Sequence, residues 1–186
     1  PLSKVPEKES YPVVAYVGRL KKAKRPDHAI KAFRIVKEEF PEAELWIIGN
    51  GYFRKDLENM ATNGLRFFSG VSDEERRGWV SRAWVLVNPS VREGFGLNVV
   101  EANALGTPCV VYDVPGLRDS VKNYRTGLLA EGGNVLDLSN KLILVLKDDT
   151  LRERLSSNAL EFSKNFDWDT SAREFEGVLR ALCDRQ

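Results

Sequence analysis

The chain has 186 residues, 28 Lys plus Arg against 27 Asp plus Glu, one His and a formal charge of +1. With 42% hydrophobic residues, 14 Gly and 8 Pro, it reads as one folded globular domain, which excludes the disordered, collagenous and disulfide-stapled classes. The near-neutral balance excludes a nucleic-acid partner, which needs a strongly basic face, and Cys109 and Cys183 lack metal-ligand spacing.

In chain order, residues 1–12 hold three prolines and little apolar periodicity, and read as a linker or domain edge before a folded domain over 13–186. The run 13–17 is a strand. Residues 27–40 predict a helix with Ala29, Phe33, Val36 and Phe40 on one face, stopped by Pro41. Strands follow at 45–48 and 65–68. Ser72 with Glu75 is a capping-box signature for a helix to about Ala83, with Trp79 and Val80 as core candidates. Next come a strand at 85–87, a helix over 97–105 ended by Gly106-Thr107-Pro108, and strands at 109–112 and 127–129. Helices over 135–147, 151–165 and 169–182 form the tail, and the last should expose an apolar patch around Trp168 and Phe175.

Short apolar runs alternating with amphipathic stretches predict strands buried on both faces. The expected class is α/β: a doubly wound, Rossmann-like parallel sheet with a C-terminal helical tail. The longest apolar runs fall far below the roughly 18 residues of a membrane span, and no secretion-signal pattern is seen. A cytoplasmic location is therefore expected, with no membrane contact through this domain, although a longer protein containing it could be peripheral to a membrane.

Ligands of such sheets bind beyond the carboxyl ends of the strands. The loops there are Gly18-Arg19-Leu20 running on to Lys24 and Arg25, Gly49-Asn50-Gly51, Ser69-Gly70-Val71-Ser72, and residues 88–96. They gather glycines and cations, which suits a phosphorylated ligand. Gly94 and Gly96 permit close backbone approach, and the helix starting at Leu97 offers unpaired N–H groups and a positive dipole end. Arg19 and Lys24 add two cations. Each feature also has a plain reading, as a solvated basic turn or an ordinary glycine turn. Glu93 and Glu101 read either as surface charges or as acceptors for neutral hydroxyls, since carboxylates repel phosphate. His28 has no triad-like partners and reads as structural or surface.

Gly18-Arg19-Leu20 with Lys24, Gly49-Asn50-Gly51, Pro89-Ser90, Glu93-Gly94-Phe95-Gly96-Leu97, Glu101-Ala102 and Gly106-Thr107-Pro108-Cys109 together resemble the C-terminal domain of the family-four retaining GT-B glycosyltransferases. The Glu-x7-Glu element is that family's hallmark. The resemblance implies a donor domain for a UDP- or GDP-sugar, with no cofactor and no metal, whose partner is an N-terminal acceptor domain outside this chain. It implies that Arg19 and Lys24 hold the diphosphate and, with Glu93, form the catalytic set. The backbone from Gly94 through Phe95, Gly96, Leu97 and Asn98 would cradle phosphates and sugar, Glu93 would take the sugar hydroxyls, and Glu101 the ribose diol. Val71 would meet the base edge, with Gly18, Gly49 and Asn50 completing the set.

Two departures from the family pattern are Arg25, where Gly is usual, and Asp119, where Glu is often found. Other classes stay open. One is a glycoside hydrolase using Glu93 and Glu101 as acid and base. The other is a stand-alone nucleotide-binding Rossmann-type module, although no GxGxxG follows the first apolar run.

Overall fold

The computed structural model describes residues 7–183. Residues 1–6 of the expected linker or domain edge over 1–12, and the last three residues of the expected domain, lie outside them. Six strands, β1 (Val13–Val17), β2 (Glu44–Ile48), β3 (Leu65–Phe68), β4 (Val85–Asn88), β5 (Cys109–Tyr112) and β6 (Gly127–Ala130), form one parallel sheet in the order β3-β2-β1-β4-β5-β6. The helices are α1 (Pro26–Glu39), α2 (Arg54–Glu58), α3 (Asp73–Arg82), α4 (Leu97–Ala104), α5 (Leu117–Ser120), α6 (Val135–Lys147), α7 (Asp149–Ser163) and α8 (Trp168–Cys183).

Strand periodicity of two divides the core. Val14, Tyr16, Leu45, Ile47, Val110 and Tyr112 face Ile30 and Phe33 of α1 and Leu138 and Leu142 of α6. Val13, Ala15, Val17, Trp46, Ile48 and Val111 face Val80 of α3, Val99 and Ala102 of α4, and Leu117 of α5. A fully buried side chain of this size contributes about 1.5–3 kcal/mol, which is why the sheet is apolar on both faces rather than alternating.

Local signals placed most elements correctly. Ser72 and Glu75 form both halves of the capping box of α3, while Asn134 and Asp148 cap α6 and α7 with their side chains. Val80 is buried and Trp79 packs edge-on against Trp46. The expected helix over 27–40 begins one residue earlier, with Pro26 in its first turn where a missing N–H is harmless, and Phe40 lies just past its end. Two short helices, α2 and α5, and a 3-10 turn at Lys22–Lys24 carry too little periodicity to be read from sequence. Cys109 is buried in β5 and Cys183 is exposed.

Residues 7–12 form no helix or strand, yet this segment is docked. The Glu9 amide donates to the Arg82 carbonyl (3.0 Å), Trp84 Nε1 donates to the Glu9 carbonyl (2.7 Å), and Lys8 Nζ donates to the Ser81 carbonyl (3.0 Å) and Thr107 Oγ1 (2.8 Å). Burial lowers the Lys8 pKa from 10.5 to about 7, with Cys109 opposing and Arg152 assisting. Between those two values the unfolded chain binds a proton that the folded chain releases, so this group makes stability rise with pH from about 7 to 10.5. Urea titrations at several pH values should show that rise flattened in Lys8→Met relative to the parent, and identical slopes would refute the assignment.

At the other end, α8 buries none of its residues. Trp168 is 85% exposed, and Phe175, Val178, Leu179 and Leu182 form an exposed apolar stripe at helical spacing, the patch expected from the sequence.

Candidate functional site

β1 pairs with β2 on one side and β4 on the other, so chain connections diverge from the β1/β4 seam and leave a crevice at its carboxyl end. The loop after β1 is stitched to the loop after β2. The Gly18 amide donates to the Ile48 carbonyl (3.1 Å), the Leu20 amide to the Asn50 carbonyl (2.9 Å), and the Phe53 amide to the Leu20 carbonyl (3.1 Å). Contact is so close that a Cβ on Gly49 would stand 2.0 Å from the Gly18 carbonyl oxygen.

The loop after β4 is drawn to the same place. Ser90 Oγ donates to the Ala23 carbonyl (3.3 Å), and Lys24 Nζ comes to 2.6 Å from Glu93 Oε1. Behind it, a Cβ on Gly116 would lie 2.5 Å from the Glu93 carbonyl oxygen, so the Pro115-Gly116 turn holds the Glu93-Gly94 backbone in position. Gly96 begins α4 at φ 79 with no side-chain cap, leaving the helix end open toward the crevice. Asn98, the second residue of α4, donates through Nδ2 to the Val17 carbonyl (2.8 Å) and accepts from Asn88 Nδ2 (3.1 Å). These amides lock α4 to the ends of β1 and β4.

The crevice has two lobes. One, of about 500 Å³, is lined by Tyr16, Gly18, Arg19, Lys24, Asn88, Glu93, Gly94, Phe95, Gly96, Leu97 and Asn98. The other, of about 450 Å³, is lined by Gly49, Asn50, Gly70, Val71, Arg76 and Glu101, and shares Gly18, Arg19, Leu97 and Asn98 with the first. Every site residue singled out in the sequence lines one lobe or both. Glu93 and Glu101 fall in different lobes, on either side of the open end of α4.

Sequence reasoning did not anticipate the charge pairing. Glu93 is held by Lys24, with side chains only 14% and 26% exposed, and Glu101 by Arg76 at 2.5 Å. Arg19 is exposed, with no carboxylate partner among the described residues. Tyr16, a strand residue beneath the first lobe, has its phenol pKa raised by burial and by Glu93 and Asp27. It was not singled out because it sits within an apolar run. Asn88 carries a legible signal, a polar residue ending an otherwise apolar strand. His28 is structural: its Nδ1 lies 2.7 Å from the Tyr112 hydroxyl, and burial lowers its pKa.

Arg25 has φ 49, ψ 43, a left-handed conformation at the junction of the 3-10 turn and α1. A side chain there is strained and glycine is not, which is the physical reason for the glycine usual at this place in the resembling family. Asp119 is exposed on α5.

A doubly wound parallel sheet whose switch point holds an uncapped helix end between two carboxylates defines a Rossmann-like α/β domain. The Glycosyl transferases group 1 family matches residues 2–162, and the chain belongs to it. D-inositol 3-phosphate glycosyltransferase of Nocardioides sp. is 31% identical over a 192-residue alignment, covering 92% of this chain and 42% of that protein. Sucrose-phosphate synthase of Thermosynechococcus elongatus superposes with a TM-score of 0.83 at 27% identity, over 95% of this chain and 47% of that one. The Anabaena protein HepE in complex with UDP shares the fold, with a TM-score of 0.83 at 22% identity over 92% and 49% of the two chains. The chain thus spans less than half the length of these proteins and has the fold of a GT-B C-terminal domain. Among the described residues no helix is long and apolar enough to cross a membrane.

Proposed function

We propose that this chain is the donor-binding domain of a retaining glycosyltransferase that moves a sugar from a UDP- or GDP-sugar to an acceptor held by a second domain. The observation that carries this reading is the two-lobed crevice, with Glu93 and Glu101 on opposite sides of the open α4 end and Lys24 and Arg19 at its rim. The diphosphate sits at the helix end, where amides and the dipole meet its charge, and Lys24 and Arg19 neutralise the charge that grows on the departing nucleoside diphosphate. Glu93 accepts hydrogen bonds from the sugar, Glu101 from the ribose diol, and the backbone near Val71 meets the base. This arrangement calls for no metal, because two side-chain cations and the helix end share the diphosphate charge.

The two carboxylates occupy different lobes and are held by different cations, which is not the arrangement of an acid and base across one glycosidic bond. The exposed stripe of α8 and the 42% coverage of a curated relative support a further domain that completes the acceptor side.

A thermal-shift panel of UDP, GDP, UDP-glucose, GDP-mannose and NAD tests the reading. At 100 times its Kd a bound nucleotide adds about 2.7 kcal/mol of apparent stability. A uridine or guanosine diphosphate should raise the melting temperature, NAD should not, and the chain alone should transfer no sugar. A shift with NAD alone would overturn the donor assignment, and robust transfer by this chain would overturn the need for a second domain.

A further inference from the structure

One cation in the second lobe has no part in the proposed donor contacts. Arg76 lies near the start of α3, its amide donating to the Ser72 carbonyl (2.9 Å), and its side chain crosses to α4. One terminal nitrogen donates to Glu101 Oε2 at 2.5 Å and the other to Asp73 Oδ1 at 3.1 Å. The guanidinium is the shielded member of the trio, its side chain 24% exposed against 52% for Glu101 and 82% for Asp73. Burial disfavours the cation, but its bonds to the two carboxylates outweigh that and raise its pKa, so it stays charged. Arg76 and Glu101 line the second lobe together with Gly70 and Val71.

We propose that Arg76 is a positioning residue for the nucleotide ribose, acting through Glu101. This rests on the assignment of Glu101 to the ribose diol. A half-exposed glutamate near the middle of a helix explores several rotamers, and ordering it opposes binding. The guanidinium, itself held by Asp73, donates to Oε2 and so restricts the rotamers open to Glu101. That leaves Oε1, with lone pairs free, to accept from the two ribose hydroxyls. The same contact offsets the negative charge that Glu101 would otherwise present to a diphosphate bound next to it. An ordinary surface ion pair between α3 and α4 would affect stability slightly and ribose recognition not at all.

The test is calorimetric titration of the 186-residue chain with UDP, GDP and the 2′,3′-dideoxy form of each. The variants are Arg76→Leu, Arg76→Lys, Glu101→Gln and the Arg76→Leu/Glu101→Gln double, each checked for folding by its thermal transition. Arg76→Leu should weaken the ribonucleotide about five- to tenfold and the dideoxy nucleotide less than about twofold, a coupling within the range for residues in one network. Arg76→Lys, which keeps the charge without the fork, should fall between parent and Leu, and it carries the test if the Leu variant does not fold. The double variant should bind no more weakly than Glu101→Gln.

Equal losses on both nucleotide forms, or additive losses in the double, would overturn the positioning role while leaving Glu101 in place. If Glu101→Gln itself shows no ribose-dependent loss, the ribose assignment fails and the proposal with it. A parent that binds neither UDP nor GDP overturns the donor assignment.

Discussion

Gly49→Ala should destabilise the chain by about 3–5 kcal/mol, the sum of overpacking and backbone strain. The added Cβ would lie 2.0 Å from the Gly18 carbonyl oxygen, and φ at this residue is +148. Neither atom can retreat. Gly18 donates to the end of β2 and Gly49 donates to the Phe68 carbonyl (2.9 Å), so relief requires opening the sheet at the edge that carries the candidate site. Urea or thermal unfolding should show a large loss together with loss of nucleotide affinity. Gly94→Ala is the matched opposite, since its Cβ would meet nothing within 4 Å. Its stability should equal the parent's, while nucleoside diphosphate binding falls, because the space it fills is the space assigned to the ligand. If Gly94→Ala binds normally, the diphosphate does not sit where we place it.

The Lys24–Glu93 pair should give the largest effect on binding. Lys24→Ala removes a cation and also strips the counterion from a carboxylate that is only 14% exposed. The remaining charge then faces the diphosphate, and calorimetry should register a loss of about 3 kcal/mol, the upper end for a charged hydrogen bond. Arg19→Ala, at an exposed cation with no such carboxylate, should lose less. Adding Glu93→Gln to Lys24→Ala should recover part of the affinity, because the unpaired charge is gone. Glu93→Gln alone frees Lys24 for phosphate, so diphosphate binding should hold or tighten while the matching nucleotide-sugar weakens. High salt should weaken the parent more than Lys24→Ala. Equal behaviour of the Lys24→Ala single variant and the double variant would mean that Glu93 exerts no charge effect on the ligand.

Much of this was legible in residue order. Apolar runs such as Val13–Val17 mark strands without alternation, which only a sheet covered on both faces explains, and the Ser72/Glu75 box fixes where α3 begins. The loops rich in glycine and cations follow those runs, so the rule that ligands meet strand carboxyl ends points to Arg19, Lys24 and Glu93, while Glu101, inside α4, is picked out by its spacing from Glu93 and by the family resemblance. These are local properties: spacing, capping and backbone freedom depend on neighbours a few residues away.

What sequence alone could not decide is which charge meets which. Lys24 and Glu93 are 69 positions apart, and Arg76 and Glu101 25, yet each pair lies in contact. Their meeting depends on β1 lying beside β4 and on α3 and α4 covering the same face of the sheet, which is set by strand order rather than by any local pattern. The same holds for Gly49, whose need to be glycine comes from the Gly18 carbonyl across the sheet, and for Arg25, whose left-handed backbone is imposed by the turn between β1 and α1. Sequence therefore determined the sheet, the strand ends where the candidate site lies and the residue types available there. The tertiary structure decided how those charges are paired, because side chains distant along the chain interact only after packing has brought their backbones within reach.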